Sequence, residues 1–184
     1  MNKNNLSIVR QQFAQCVFNH KIHEKACDRL ERFNNKIKWG NFILLALVII
    51  VLGLQLYFSK YFISGVISIS ITVIEIVFLF FQKEFSFEEK AKNYKKIALQ
   101  YLSLRDKYKN FIADIMNDLD ENIVILKRDS FQEQYQIINN LAPQAEPIDY
   151  SKSQSSLLKT NNTDEEFTWS DREINSFLPK DLHI

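Results

Sequence analysis

The sequence predicts an all-α membrane protein: a two-helix transmembrane hairpin, with long cytosolic helices before and after it forming an antiparallel helical stalk. Two apolar runs, residues 42–58 and 62–81, are separated only by Ser59, Lys60 and Tyr61. At about 17 and about 20 residues, each is long enough for a helix to cross roughly 30 Å of hydrocarbon. Glu75 is the one formal charge inside either run. Backbone groups in lipid must be satisfied within the segment, which a helix achieves and an isolated strand does not. The expected organisation is therefore a cytosolic helix over 1–38, a hairpin over 39–82, cytosolic helices over 83–142, and a flexible tail over 143–184 with a short helix near 170–178.

Basic residues set the expected orientation. Lys21, Lys25, Arg29, Arg32, Lys36 and Lys38 precede the first span, and Lys83, Lys90, Lys92, Lys95 and Lys96 follow the second. Only Lys60 lies in the turn, so both termini are expected on the cytoplasmic side of the inner membrane. Trp39, Tyr57 and Tyr61 stand at the boundaries, where amphipathic rings prefer to lie. The first apolar run begins too late and lacks the cleavage pattern of a signal peptide, so no leader is expected.

The net charge of +1 hides an asymmetry, because the region before the first span is basic while the part from Pro143 onward carries twice as many acids as bases. Basic residues beside a membrane predict anionic lipid as a partner. Direct nucleic-acid binding is not expected, since the charges are spread along helix faces and mixed with acids. With only three glycines, Gly40, Gly53 and Gly65, the chain has no phosphate-cradling loop.

From residue 6 to 38 one helix is expected, with a seam of Leu6, Val9, Phe13, Cys16, His20, His23, Cys27, Leu30, Asn34 and Ile37 at heptad spacing. Four metal-ligating residue types in that seam invite a zinc reading. Cys16 and Cys27 would lie roughly 16 Å apart along one helix, too far to share one ion. Polar positions that set register account for the pattern without a metal, and none is expected; both thiols should be reduced. After the spans, Ser86 and Glu89 have capping-box spacing and open a helix with the stripe Phe87, Ala91, Tyr94, Ala98, Tyr101, Tyr108, Ile112, Ile115 and Leu119, in which Arg105 is the charged member. The two long helices run oppositely. Their seam, with Phe13, Leu30, Tyr94, Tyr101, Tyr108 and Ile112, is expected to mediate assembly into a homo-oligomer.

Residues 122–127 either continue or break the helix. Ser130 with Glu133 marks a further start, for a short helix with Phe131, Tyr135, Ile138 and Leu141 on one face. Residues 143–166 are polar and read as extended or disordered. Ser170 with Glu173 caps a terminal helix, with Trp169 and Ile174 as its hydrophobic staple. Trp169, Ile174, Phe177 and Leu178 form a docking face, either for this chain's own stalk or for a partner.

No nucleophile–base–acid set is legible, so no enzyme and no cofactor are expected. The second span is more informative. Ser64, Ser68, Thr72 and Glu75 recur at steps of four, four and three and so share one helix face. Two readings fit: small polar residues that let helices pack closely, or a face lining a water-filled path that tolerates an ionisable group.

Lys25, Ala26 and Arg32, the tight hairpin, and then Phe87-Glu88-Glu89-Lys90-Ala91 with Tyr94, Ala98, Tyr101, Leu104 and Arg105 resemble the SLATT family. These are small bacterial two-span proteins proposed as membrane effectors in anti-phage and conflict systems. Tyr135, Ile137-Ile138 and Ile148-Asp149-Tyr150 resemble the C-terminal helical extension of one subgroup. The resemblance runs from about residue 18 to residue 150 and leaves out the segment after Ser151. It implies a pore-forming or membrane-disrupting effector of abortive infection. It also implies an upstream partner, either a synthase of a nucleotide signal or a reverse-transcriptase-like protein. The rival expectation is a membrane anchor or scaffold that presents its cytosolic helices and tail to a partner protein.

Overall fold

The computed structural model describes residues 3–57, 62–158 and 168–184. Among them every regular element is helical: α1 (Lys3–Tyr57), α2 (Phe62–Phe85), α3 (Phe87–Met116), α4 (Glu121–Leu141), α5 (Pro147–Leu158), α6 (Asp171–Asn175) and a 3-10 turn at Lys180–Leu182. They form two compact units, Met1–Asp28 with Lys92–Ile184, and Arg29–Ala91.

The first unit is a helical bundle. The expected seam of α1 is buried in it from Leu6 through Val9, Phe13 and Cys16 to His23 and Cys27. His20 Nδ1 lies 2.9 Å from the Ala98 carbonyl, and the His23 ring stacks on Tyr101 at 5.6 Å. These pairings give α1 and α3 opposite directions. In α3 the stripe of Tyr94, Ala98, Tyr101, Tyr108, Ile112 and Ile115 is buried, and so are Ile97, Leu104 and Phe111, which form a second stripe. The second stripe exists because α4 covers α3 on another side: Phe131 meets the rings of Tyr108 and Phe111 edge-on at 5.3 and 5.5 Å. Gln12 with Gln132 (2.6 Å) and Asn19 with Tyr135 (2.8 Å) tie α4 to α1.

Local chemistry sets the breaks. The chain turns after α3 through Asp118 at φ 61°, a left-handed position that aspartate tolerates better than most residues. Asp120 then caps α4 by accepting from the backbone N–H of Asn122 and Ile123. The start expected at Ser130 is thus corrected: α4 begins at Glu121 and runs through Ser130, because the Asp120 cap supplies the earlier start.

The extended segment expected over 143–166 is also corrected, across Pro147–Leu158. Proline fits the first position of a helix, and the Asp149 carboxylate accepts from Glu146 N–H at 3.2 Å. Within α5, Ser153, Ser155 and Ser156 donate to the carbonyls of Asp149, Ser151 and Lys152. Each hydroxyl is satisfied inside the helix, so a serine-rich face can pack. The rest of that segment, 159–167, lies outside the described residues.

The C-terminal segment is folded back onto this unit. Ile174 and Leu178 are buried, and Trp169 and Phe177 pack against the same core. The capping box holds: Glu173 accepts from Ser170 N–H at 3.0 Å and from the Thr168 hydroxyl at 2.9 Å. Trp169 stands at φ 56° with its ring edge-on to Phe18 at 6.0 Å.

In the second unit, Leu30, Asn34 and Ala91 are buried, and Phe33 meets Phe87 at 4.8 Å. Lys38 pairs with Glu88 at 3.0 Å. α2 ends at Ser86, whose φ of 38° breaks the helix before Phe87. Phe78 sits over Gly40, within 3.6 Å of where a side chain would begin.

Candidate functional site

The two apolar helices of the second unit present their hydrophobic side chains outward. Phe42, Ile43, Ile49 and Ile50 of α1, and Ile69, Val73, Ile76, Val77 and Phe80 of α2, are all exposed. Water does not tolerate so continuous an apolar surface, whereas hydrocarbon does. The less exposed positions, Asn41, Leu44, Val48 and Val51 in α1 and Ile71, Glu75 and Phe78 in α2, recur at steps of three and four. They form the seam where the two helices meet.

Against that seam, the predicted polar face divides. Glu75 is half-buried among seam positions, while Thr72, one step round the helix, is exposed. Both backbone positions of Ser64 and Ser68 are helical, and their side chains lie outside the described residues. Ser70, off the line, is turned inward on its own helix, donating to the Val66 carbonyl at 2.9 Å. A carboxylate at the edge of a two-helix seam can reach either a neighbouring helix or a polar path. It has no favourable place facing lipid, where its charge costs about 2.5–3.5 kcal/mol or more.

The six seam residues expected to mediate assembly are divided between the two units. Phe13, Tyr94, Tyr101, Tyr108 and Ile112 are buried in the first unit and Leu30 in the second, each within a single chain. Within one chain these side chains therefore act as packing groups. Trp169, Ile174, Phe177 and Leu178 likewise face this chain's own core, which selects folding back among the two docking alternatives.

Sequence reading missed the polar interior of the bundle. Arg10 has a fully buried side chain. Its guanidinium donates to the Leu182 carbonyl at 2.8 Å and to Asn175 Oδ1 at 2.5 Å, and lies 3.6 Å from Asp171. Burial lowers its pKa and Asp171 opposes that shift. Asp149, Ser153 and Gln154 of α5 are also buried. Burial brings the His23 pKa down to about 4, with Asp149 pulling the other way and His20 adding to the depression. Burial pushes the Cys16 thiol up to about 12, so it is a packing group rather than a nucleophile. Arg10 had a signal in the sequence, being a charge one residue beyond the seam member Val9, but its partners lie at the other end of the chain.

A family model described as SMODS and SLOG-associating 2TM effector domain family 4 matches residues 6–173. That reaches α6 and extends well past the stretch on which the sequence resemblance rests. Neither a curated protein nor a solved structure matches the chain.

Proposed function

The chain belongs to the SMODS and SLOG-associating two-transmembrane effector family, and from that premise we propose that it is an oligomeric, pore-forming membrane effector of a bacterial anti-phage system. It sits in the inner membrane with both termini cytoplasmic, as the basic flanks of the two spans favour. Hairpins from several copies gather so that Ser64, Ser68, Thr72 and Glu75 line a shared path. The bundle holds them closed until a cytosolic signal or partner acts, supplied by a nucleotide-signal synthase or a reverse-transcriptase-like protein.

The observation that carries the pore is Glu75, an ionisable side chain on a helix whose exposed positions are otherwise mostly apolar. A ring of such carboxylates favours cations by field strength. The test is ion and dye leakage with growth arrest on forced expression. Glu75→Gln should weaken cation preference, and Ser68→Leu should close the path, while Val73→Leu on the apolar side leaves leakage unchanged. Wild-type leakage in both polar-face variants would make the face a packing surface and the protein an anchor.

A further inference from the structure

A cavity of about 600 Å³ opens between α1, α4, α5 and the connection 142–147, within the range of small-molecule sites, about 300–1,000 Å³. Four carboxamide residues line it, Asn19, Asn139, Gln144 and Gln154. Gln154 is 5 % exposed and makes no hydrogen bond to a described residue. Its carboxamide is not sealed from solvent, so water or a ligand in the cavity can meet it. Asn19 donates its Nδ2 to the Tyr135 hydroxyl at 2.8 Å, which leaves Oδ1 as an acceptor. Asn139 does the reverse: Oδ1 accepts from the Tyr101 hydroxyl at 3.3 Å, which leaves Nδ2 as a donor. His23, 6 % exposed, lies at the back of the cavity with Nδ1 unpartnered.

Tyr150 adds a half-exposed ring at the rim, held from behind by Phe18 edge-on at 4.9 Å. Among the described lining residues there is no lysine or arginine, and Glu146 contributes an acid. A phosphate therefore finds no counter-charge there. Fixed carboxamide donors and acceptors beside an aromatic face complement a flat, uncharged ring with both kinds of group on its edge. We propose that this cavity binds a nucleobase, as the base of a nucleoside, with Gln154, Asn19 and Asn139 reading its edge and Tyr150 stacking on its face.

The assignment concerns the bundle alone and stands whether or not the hairpins form a pore. Full-length protein in detergent would be titrated calorimetrically with adenosine, guanosine, cytidine and uridine, and with ribose 5-phosphate as the charged control. At least one nucleoside should bind with a Kd on the order of 1 mM or tighter. Gln154→Leu should weaken that binding about tenfold or more while leaving the melting temperature close to that of the wild type, because no hydrogen bond to a described residue is lost with the carboxamide. Asn139→Ala, at an exposed position, should weaken binding likewise and keeps the test open if Gln154→Leu does not fold. Absence of binding by all four nucleosides, equal binding by ribose 5-phosphate, or undiminished binding by folded variants would overturn the proposal and leave a cavity filled by water only.

Discussion

Arg10 is a full charge with no exposed side-chain surface, held by one carbonyl and one carboxamide from the last residues of the chain. A buried cation is costly unless its hydrogen bonds are met, and its removal leaves the acceptors unmet instead. Arg10→Ala should therefore destabilise the bundle by about 3 kcal/mol and make the C-terminal segment sensitive to protease. Unchanged melting and unchanged digestion would mean that the clasp does not hold in solution. His23 acts on a different axis. Its folded pKa, about 4, lies below the unfolded value of 6.5, so the unfolded chain binds more protons between those values. Stability should be complete above pH 6.5 and decline as the pH falls toward 4, by at most about 3 kcal/mol. His23→Phe, which keeps a ring on Tyr101, should flatten that part of a pH–melting profile; a profile of the same slope would assign the acid sensitivity to other groups.

At the scale of elements, α5 is the instructive case. Its sequence, rich in serine and led in by Pro143 and Pro147, reads as a linker by composition. Serine hydroxyls bonded to carbonyls four residues back, together with Pro147 and Asp149 in the first turn, make it a helix instead. Amide exchange over 151–158 should be slow, with protection lost together with that of α4. Ser153→Leu should cost about 1–3 kcal/mol by overpacking a fully buried site, whereas Ser156→Leu on the exposed side should stay within about 0.5 kcal/mol. Equal effects would place α5 away from the core. The seams of α1 and α3 were legible because heptad spacing survives whatever packs on it. The second stripe of α3, Ile97, Leu104 and Phe111, was hidden, since one helix's periodicity does not say how many neighbours cover it. The Asp120 start of α4 was available as an N-cap residue and was masked by the stronger-looking pair at Ser130 and Glu133.

At the scale of the molecule, the apolar spans and the family were readable from the chain, because hydropathy over some twenty residues is a strong signal. What the polar face of α2 does was not readable, and its two halves differ in exposure: Glu75 at the seam, Thr72 outside it. The tail also required the fold, since Trp169, Ile174, Phe177 and Leu178 look alike as an external docking face and as core. Truncation after residue 167 should leave membrane insertion intact, because both spans remain. It should also lower the melting temperature of the bundle by several degrees, as buried Ile174 and Leu178 and the partners of Arg10 are lost. A truncated chain that melts like the full one would put the segment outside the core.

Arg10 and Leu182 are 172 positions apart, and that separation orders events during synthesis. The ribosome makes Arg10 well before its acceptors on Asn175 and Leu182, with both spans delivered to the membrane in between. α3 and α4 cover the apolar face of α1 once they emerge, so what waits longest is the Arg10 guanidinium, until Asn175 and Leu182 follow. Contacts of such long range form late, and incomplete chains expose surfaces that invite degradation. A chain interrupted before Asn175 thus keeps its buried guanidinium unmet and betrays itself to cellular proteases, while one that has passed Leu182 can close the clasp.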